Sequence, residues 1–385
     1  MIKTTIVLIA LISGIFISCG EQLPKAPVNG FVPIAEVPEI ELEITKDIST
    51  SKSTFLNTVT DKNASILHHL DETGFHFYNG LKFKTADMGV LVGGTGLRAR
   101  LTKDKGETWT QFGFSNFANA FHSAAFTDTD LFIVGESKYI FRTSDFGETW
   151  TVLNTEPFYE KAAITQIHYF KMAFLSPDLG YISGQESGRS VLLKTTNGGT
   201  DWEVIDTKAI DGGIFAITDF TIPSKQEINI VTQSGKCYGS KDQGKTWDLH
   251  FDIKKKYGSL NAIAFRNSAA GYIGGLDGSL FRTDDGGKEW TEIALPDEAS
   301  KSNVSAITYV NNMALVTTSI SFNDKERPSF VYSIKEKDGV ATPFLTKKDS
   351  TVFFVGDSYG IDTLDNAVYI LDRNNLYRTP IGTDD

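Results

Sequence analysis

The chain has 385 residues, with 48 acidic side chains against 37 basic ones and a formal net charge of −11. That balance excludes nucleic acid as a partner, because the cationic footprint that neutralises phosphates is missing. The cysteines are two, Cys19 and Cys237, which excludes the disulfide framework of a small secreted scaffold.

In chain order, the first element is a leader. Lys3 is followed by an uncharged apolar run from Ile6 to Ile17 and then by Ser18, Cys19 and Gly20. The run is shorter than the ~20 apolar residues that a bilayer crossing needs, and its three-part layout is that of a signal peptide over residues 1–18. Phe16-Ile17-Ser18-Cys19 resembles a bacterial lipobox, whose cysteine is acylated and becomes the new N-terminus. Lipidation at Cys19 would hold the exported chain to a membrane, on the periplasmic side or at the outer-membrane surface. Residues 19–38 carry Pro24, Pro27, Pro33 and Pro38 and read as an extended tether. The remainder, 39–385, reads as one domain.

That domain is repetitive. The five tryptophans, Trp109, Trp150, Trp202, Trp247 and Trp290, lie 41, 52, 45 and 43 residues apart, and each closes a copy of one short box. The copies are RLTKDKGETW, RTSDFGETW, KTTNGGTDW, GSKDQGKTW and RTDDGGKEW. Before each box come three short apolar or alternating stretches divided by Gly, Asp and Asn, and one more follows it. Four strands per unit at a period of 40 to 50 residues predict propeller blades. Two further units, SAITYVNNMALVTTSISFNDKERPSFVYSIKEKDGVATPFL and GIDTLDNAVYILDRNNLYRTPIG, keep the strand rhythm without the box. The expectation is therefore an all-β chain forming a single seven-bladed β-propeller with five such hairpins. The last unit lacks its outermost strand and EIELEIT (Glu39 to Thr45) is spare. An N-terminal strand that completes the last blade would close the ring and remove an open sheet edge.

The box composition describes a joint between the third and fourth strands. Asp104, Asp145, Asn197, Asp242 and Asp285 can accept hydrogen bonds from their own turn, and Gly147 suits a left-handed backbone. The closing tryptophans suit burial between neighbouring blades. None of these roles needs a substrate.

The pattern Ser/Thr-x-Asp-x-Gly-x-Thr-Trp resembles the Asp-box, or BNR repeat, of bacterial sialidases and related propellers. In those families the boxes lie away from the active centre. A sialidase would also show a Phe/Tyr-Arg-Ile-Pro segment before the first box, and nothing before Asp104 matches it. Tyr377-Arg378-Thr379-Pro380 lies at the wrong end, and Arg142, Arg282 and Arg378 occupy equivalent repeat positions that would not converge. The units AAGYIGGLDGSLFRTDDGGKEW and DLGYISGQESGRSVLLKTTNGGTDW are similar to those of the photosystem II assembly-factor propellers and their non-photosynthetic bacterial relatives. That resemblance implies a non-catalytic binding or assembly scaffold, exported and membrane-tethered, for a protein or glycan partner. The alternative is a glycoside hydrolase of sialidase-like fold with paired carboxylates at the channel mouth.

Candidate contacts lie in the loops between units: Phe114, Phe117, Phe158, Tyr159, Lys254, Lys255, Lys256 and Tyr257. No Gly-x-Gly-x-x-Gly between a strand and a helix suggests a dinucleotide, and no cofactor is expected. The histidines, His68, His69, His76, His122, His168 and His250, have no metal-ligand spacing in the sequence, so no metal is expected. Cys237 reads as a small buried hydrophobe. The chain is expected to be a monomer.

Overall fold

The second stretch of each unit is rich in apolar and small residues, as in GVLVG, LFIVG and GYIGG, and it forms a strand buried on both faces. This is why it reads as a continuous run and not as an alternation. The structure, a computed structural model, describes residues 44–50, 65–69, 78–93, 98–114, 120–155, 167–254, 258–297, 299–319, 331–335, 339–344, 358–364, 367–372 and 375–380. The leader, Cys19 and the proline-rich stretch lie outside these residues.

Two strands come first, β1 (Ile44–Thr50) and β2 (Ser65–His69). The first unit contributes β3 (Tyr78–Phe83), β4 (Gly89–Gly93), β5 (Arg98–Thr102) and β6 (Thr108–Phe114). The second has β7 (Phe121–Phe126), β8 (Leu131–Gly135), β9 (Tyr139–Thr143) and β10 (Thr151–Asn154). The third has β11 (Ile167–Phe174), β12 (Gly180–Glu186), β13 (Arg189–Thr195) and β14 (Glu203–Val204). The fourth has β15 (Ile217–Thr221), β16 (Ile228–Thr232), β17 (Lys236–Ser240) and β18 (Asp248–Asp252). The fifth has β19 (Leu260–Phe265), β20 (Gly271–Gly275), β21 (Leu280–Thr283) and β22 (Thr291–Glu292). The sixth has β23 (Asn303–Val310), β24 (Met313–Ser319), β25 (Val331–Lys335) and β26 (Ala341–Pro343). Last come β27 (Ser358–Leu364), β28 (Ala367–Asp372) and β29 (Asn375–Pro380).

Each unit is an up-and-down antiparallel sheet, so the chain is all-β among the described residues. The first strand of every sheet packs on the first strand of the next, and β27 packs back on β3. The core is correspondingly divided among the junctions. One cluster joins Phe132, Val134 and Ile140 of the second sheet to Tyr169, Leu193 and Trp202 of the third. Another joins Tyr369, Leu371 and Leu376 of the last sheet to Tyr78, Leu91 and Trp109 of the first. There Phe83 stacks on Tyr369 with ring centroids 3.8 Å apart.

The N-terminal strands depart from expectation. β1 adds to β6, with Ile44 opposite Phe114 and Thr50 opposite Thr108, and makes the first sheet five-stranded. β2 is the strand that pairs with β29, with Ser65 opposite Arg378. The outer strand of the last sheet is thus Ser65–His69 and not Glu39 to Thr45. The described end of that earlier segment, Ile44 and Thr45, belongs to the opposite side of the last-to-first junction. Edge pairing is made by backbone amides and carbonyls, so side-chain similarity to other outer strands was no guide to which edge a strand joins.

The boxes turn from third to fourth strand by one repeated hydrogen-bond scheme. In the second sheet, Thr143 Oγ1 donates to Asp145 Oδ1 at 2.8 Å and accepts from the Gly147 amide at 2.7 Å. Asp145 Oδ1 accepts from the Thr149 amide at 2.8 Å, and Oδ2 from Thr149 Oγ1 at 2.6 Å. Asp104, Asp242 and Asp285 sit in the same position. Asn197 keeps the acceptor with Oδ1 and turns Nδ2 onto Asp201 Oδ2 at 2.8 Å. Gly147 adopts φ 94°, and a Cβ there would lie 2.7 Å from the ring of Phe112 in the preceding sheet, so glycine is required twice over. Trp109 and Trp202 are fully buried against the preceding sheet, while Trp150, Trp247 and Trp290 are half-buried.

Candidate binding face

In each first strand the pairing with the second strand skips one residue near the start. The skipped residues are Asn79 in β3, His122 in β7, Phe170 in β11, Thr218 in β15, Asn261 in β19, Ser305 in β23 and Tyr359 in β27. A bulge bends its strand and re-aims the extra side chain. Glycine across the ladder makes room for it. A Cβ on Gly135 would fall 2.1 Å from the Ala120 carbonyl oxygen, and one on Gly275 2.0 Å from that of Ser259.

Several of the released side chains tie one sheet to the next. Asn79 Nδ2 donates to the Phe121 carbonyl at 3.0 Å, Thr218 Oγ1 to that of Leu260 at 2.6 Å, and Asn261 Nδ2 to that of Val304 at 3.4 Å. The bulges share the end at which the first strands begin. The turns between second and third strands lie at the same end, because the second strand runs antiparallel to the first and returns there before the third sets out. The sequence carries a trace of these bulges, since a polar residue breaks the apolar pattern near the start of FHSAAF, LNAIAF and NVSAIT. None of these positions stood out from composition alone.

Between the second and third sheets, three separated residues meet on this face. Glu136 follows β8 and is held by its amide, which donates to the Ala120 carbonyl at 2.9 Å. Glu136 Oε1 lies 3.4 Å from His122 Nε2 and 3.8 Å from His168 Nδ1. One ligand atom from each of the three lies within 4.8 Å of the others. The contact with His122 holds the Glu136 carboxyl below its usual range, against partial burial. Burial holds the His168 imidazole below its usual range, more than Glu136 raises it. The histidine spacing that looked uninformative in the sequence therefore becomes a cluster in space, because β7 and β11 are neighbouring first strands.

Carboxylates further along the first strands are already engaged. Asp219 Oδ2 accepts from the Ile263 amide at 2.9 Å while Oδ1 meets Lys171 Nζ. Asp362 Oδ2 accepts from the Phe83 amide at 2.8 Å while Oδ1 meets Lys82 Nζ at 2.6 Å. The repeat arginines act locally as well. Arg142 makes a two-point contact with Asp130 at 3.1 and 3.2 Å, Arg282 pairs with Asp284 at 2.7 Å, and Arg378 Nε donates to Tyr369 Oη at 3.4 Å.

The loop before β15 is fastened by Asp211, whose φ is 49°. Its carboxylate accepts from Tyr238 Oη at 3.0 Å, from Lys236 Nζ and from Ser234 Oγ. Burial would raise the Asp211 carboxyl, but these donors hold it below its usual range, and Asp211 in turn raises Lys236. Just beyond, Ile214 is 54% exposed and Phe215 39% exposed, so this loop presents apolar surface on the same face.

Of the sequence candidates, Phe114 ends β6 opposite Ile44. Lys254 is exposed, with φ 54° and its amide donated to Asp252 Oδ1 at 2.9 Å. Phe117, Phe158, Tyr159, Lys255, Lys256 and Tyr257 lie outside the described residues. Cys237 is fully buried, and burial pushes its thiol well above the ordinary range, so it is inert.

Residues 121–263 match the family model described as Photosynthesis system II assembly factor YCF48. Over 82 residues the chain is 35% identical to the Photosystem II stability/assembly factor HCF136, chloroplastic, of Guillardia theta. That match covers 21% of this chain and spans 20% of the relative's length. The fold resembles YCF48 bound to D1 peptide, with a TM-score of 0.60 at 14% identity, covering 83% of this chain and 96% of that one. It resembles YCF48 from Cyanidioschyzon merolae with a TM-score of 0.59, also at 14% identity, covering 83% and 98%. The WD40 β-propeller domain of Doa1 gives 0.57 at 12% identity, covering 82% and 96%. At such identities the structural likeness speaks for fold alone, and the sequence matches add a resemblance to that family over part of the chain. The chain is an Asp-box β-propeller similar to the photosystem II assembly factors.

Proposed function

We propose that this protein is a non-catalytic assembly scaffold: a seven-bladed propeller that binds an extended segment of a protein partner on the face where its first strands begin. The observation that carries this reading is the bulge ring. Its described side chains are amides, hydroxyls, an imidazole and a phenyl ring, with no carboxylate among them, a composition that suits a polypeptide better than a scissile glycosidic bond. The inner carboxylates Asp219 and Asp362 are each held by a lysine and a backbone amide, which disfavours the glycoside hydrolase alternative with its free carboxylate pair. The likeness to YCF48 bound to D1 peptide supports a peptide-like occupant. Ring closure by β2 (Ser65–His69) on β29 belongs to this proposal, as does a membrane tether through acylated Cys19.

The test is site-specific photo-crosslinking in the native cell. Benzoylphenylalanine at Phe215, on the loop face, should give a discrete protein adduct, whereas the same probe at Leu249, exposed on the fourth strand of its sheet, should not. Adducts at Leu249 and none at Phe215 would refute the choice of face. Turnover in a panel of chromogenic glycosides would refute the non-catalytic reading. The anchor is tested by palmitate labelling, which Cys19→Ala should abolish.

A further inference from the structure

We infer that His122, Glu136 and His168 form a binding site for one divalent transition-metal ion, of zinc type, clamped between the second and third sheets. Two imidazoles and a carboxylate are the donor set of open zinc sites, in which a water fills the remaining position. Ligands at about 2.0–2.2 Å from a tetrahedral zinc ion lie roughly 3.3–3.6 Å from one another. Here the Glu136 oxygen is 3.4 Å from His122 Nε2 and 3.8 Å from His168 Nδ1, so the site needs little movement to close. His122 Nε2 is buried and makes no well-formed hydrogen bond, although it points at that carboxylate.

The placement supports a built site. Each ligand is fixed by backbone: His122 occupies a bulge, Glu136 is anchored through its amide to Ala120, and His168 follows the start of β11. Gly184 sits against the His168 carbonyl so closely that a Cβ would lie 2.0 Å from its oxygen, which holds that strand in place. Asn79 provides the outer contact, with Nδ2 3.4 Å from His122 Nδ1. Metal at Nε2 places the ring proton on Nδ1, facing Asn79, so the amide must turn its oxygen there and release the Phe121 carbonyl. An acceptor already in that position would favour the metal-bound tautomer.

The experiment is zinc titration of the full-length protein, after chelator treatment, read by competition with a chromogenic chelator. One equivalent should bind, and His168→Ala and Glu136→Gln should each weaken it by at least about 10-fold. Asn79→Asp, which supplies the acceptor, should tighten it by about 10-fold. Cobalt(II) provides a readout on the wild type alone, so a variant that fails to fold does not end the test. It should give visible bands of a low-coordinate nitrogen and oxygen site, and zinc should abolish them. Zinc binding that both ligand variants leave unchanged would overturn the inference, as would a cobalt spectrum indistinguishable from the hexaaqua ion.

Discussion

Trp109 and Trp202 occupy the same box position and are both fully buried, yet they differ in one bond. Trp109 Nε1 donates to the Gly106 carbonyl at 3.1 Å, whereas Trp202 Nε1 is buried without a hydrogen-bond partner among the described residues. A buried indole covers about 150–250 Å². At about 25 cal/mol per Å² that is worth about 4–6 kcal/mol, less 10–40% for a denatured chain that is itself compact. Truncation of either tryptophan to alanine should therefore cost about 3–5 kcal/mol. Phenylalanine separates them. Trp109→Phe loses part of the ring and a hydrogen bond worth about 1 kcal/mol, and it orphans the Gly106 carbonyl. Trp202→Phe loses a similar part of the ring but removes an unsatisfied N–H whose burial costs about 1–3 kcal/mol. Trp202→Phe should thus be milder by about 2–4 kcal/mol. Urea denaturation followed by far-UV circular dichroism, which does not rely on the altered fluorophore, measures both. Equal losses, or a greater loss at Trp202, would refute the argument.

Truncation through residue 43 should leave the melting temperature nearly unchanged, whereas truncation through residue 70 removes β1 and β2 and should lower it sharply; calorimetry of both shortened chains decides, and equal melting temperatures would count against the pairing of these strands. Gly135→Ala, which places a Cβ on the Ala120 carbonyl, should destabilise by about 1–3 kcal/mol, read as a shift in the urea midpoint. Asn197→Asp sets a carboxylate against Asp201 and should lower the melting temperature more at low ionic strength than at high, since salt screens the repulsion. The box carboxylates also set a pH limit. Asp145 is held at about 2, below its usual 3.8, chiefly by the Thr149 hydroxyl, and Asp242 at about 2 by Thr246. A depressed carboxyl contributes its stability in full above the usual value and loses it as pH falls towards about 2. Melting temperature should therefore decline between about pH 4 and pH 2, and less steeply in Asp145→Asn; identical slopes would count against the scheme.

The joints were legible in the sequence because their physics is local. Asp145 meets Thr143 two residues earlier and Thr149 four residues later, so the offsets are the geometry, and recurrence near every 45 residues exposes the repeat. Strand rhythm was legible for the same reason, and Cys237 because its repeat equivalents, Ile140 and Leu280, are aliphatic and buried. Tertiary structure decided what depends on which sheet lies beside which. Whether β1 or β2 completes the last sheet turned on backbone pairing, which any side chains can share. That Trp109 finds an acceptor and Trp202 does not is likewise invisible in boxes whose sequences are otherwise equivalent. His122, Glu136 and His168 have no spacing that could announce them, because their meeting requires two bulged strands from successive units to pack side by side. A repeat specifies its own unit through short-range contacts, but the residues that converge at a junction are chosen by packing between units.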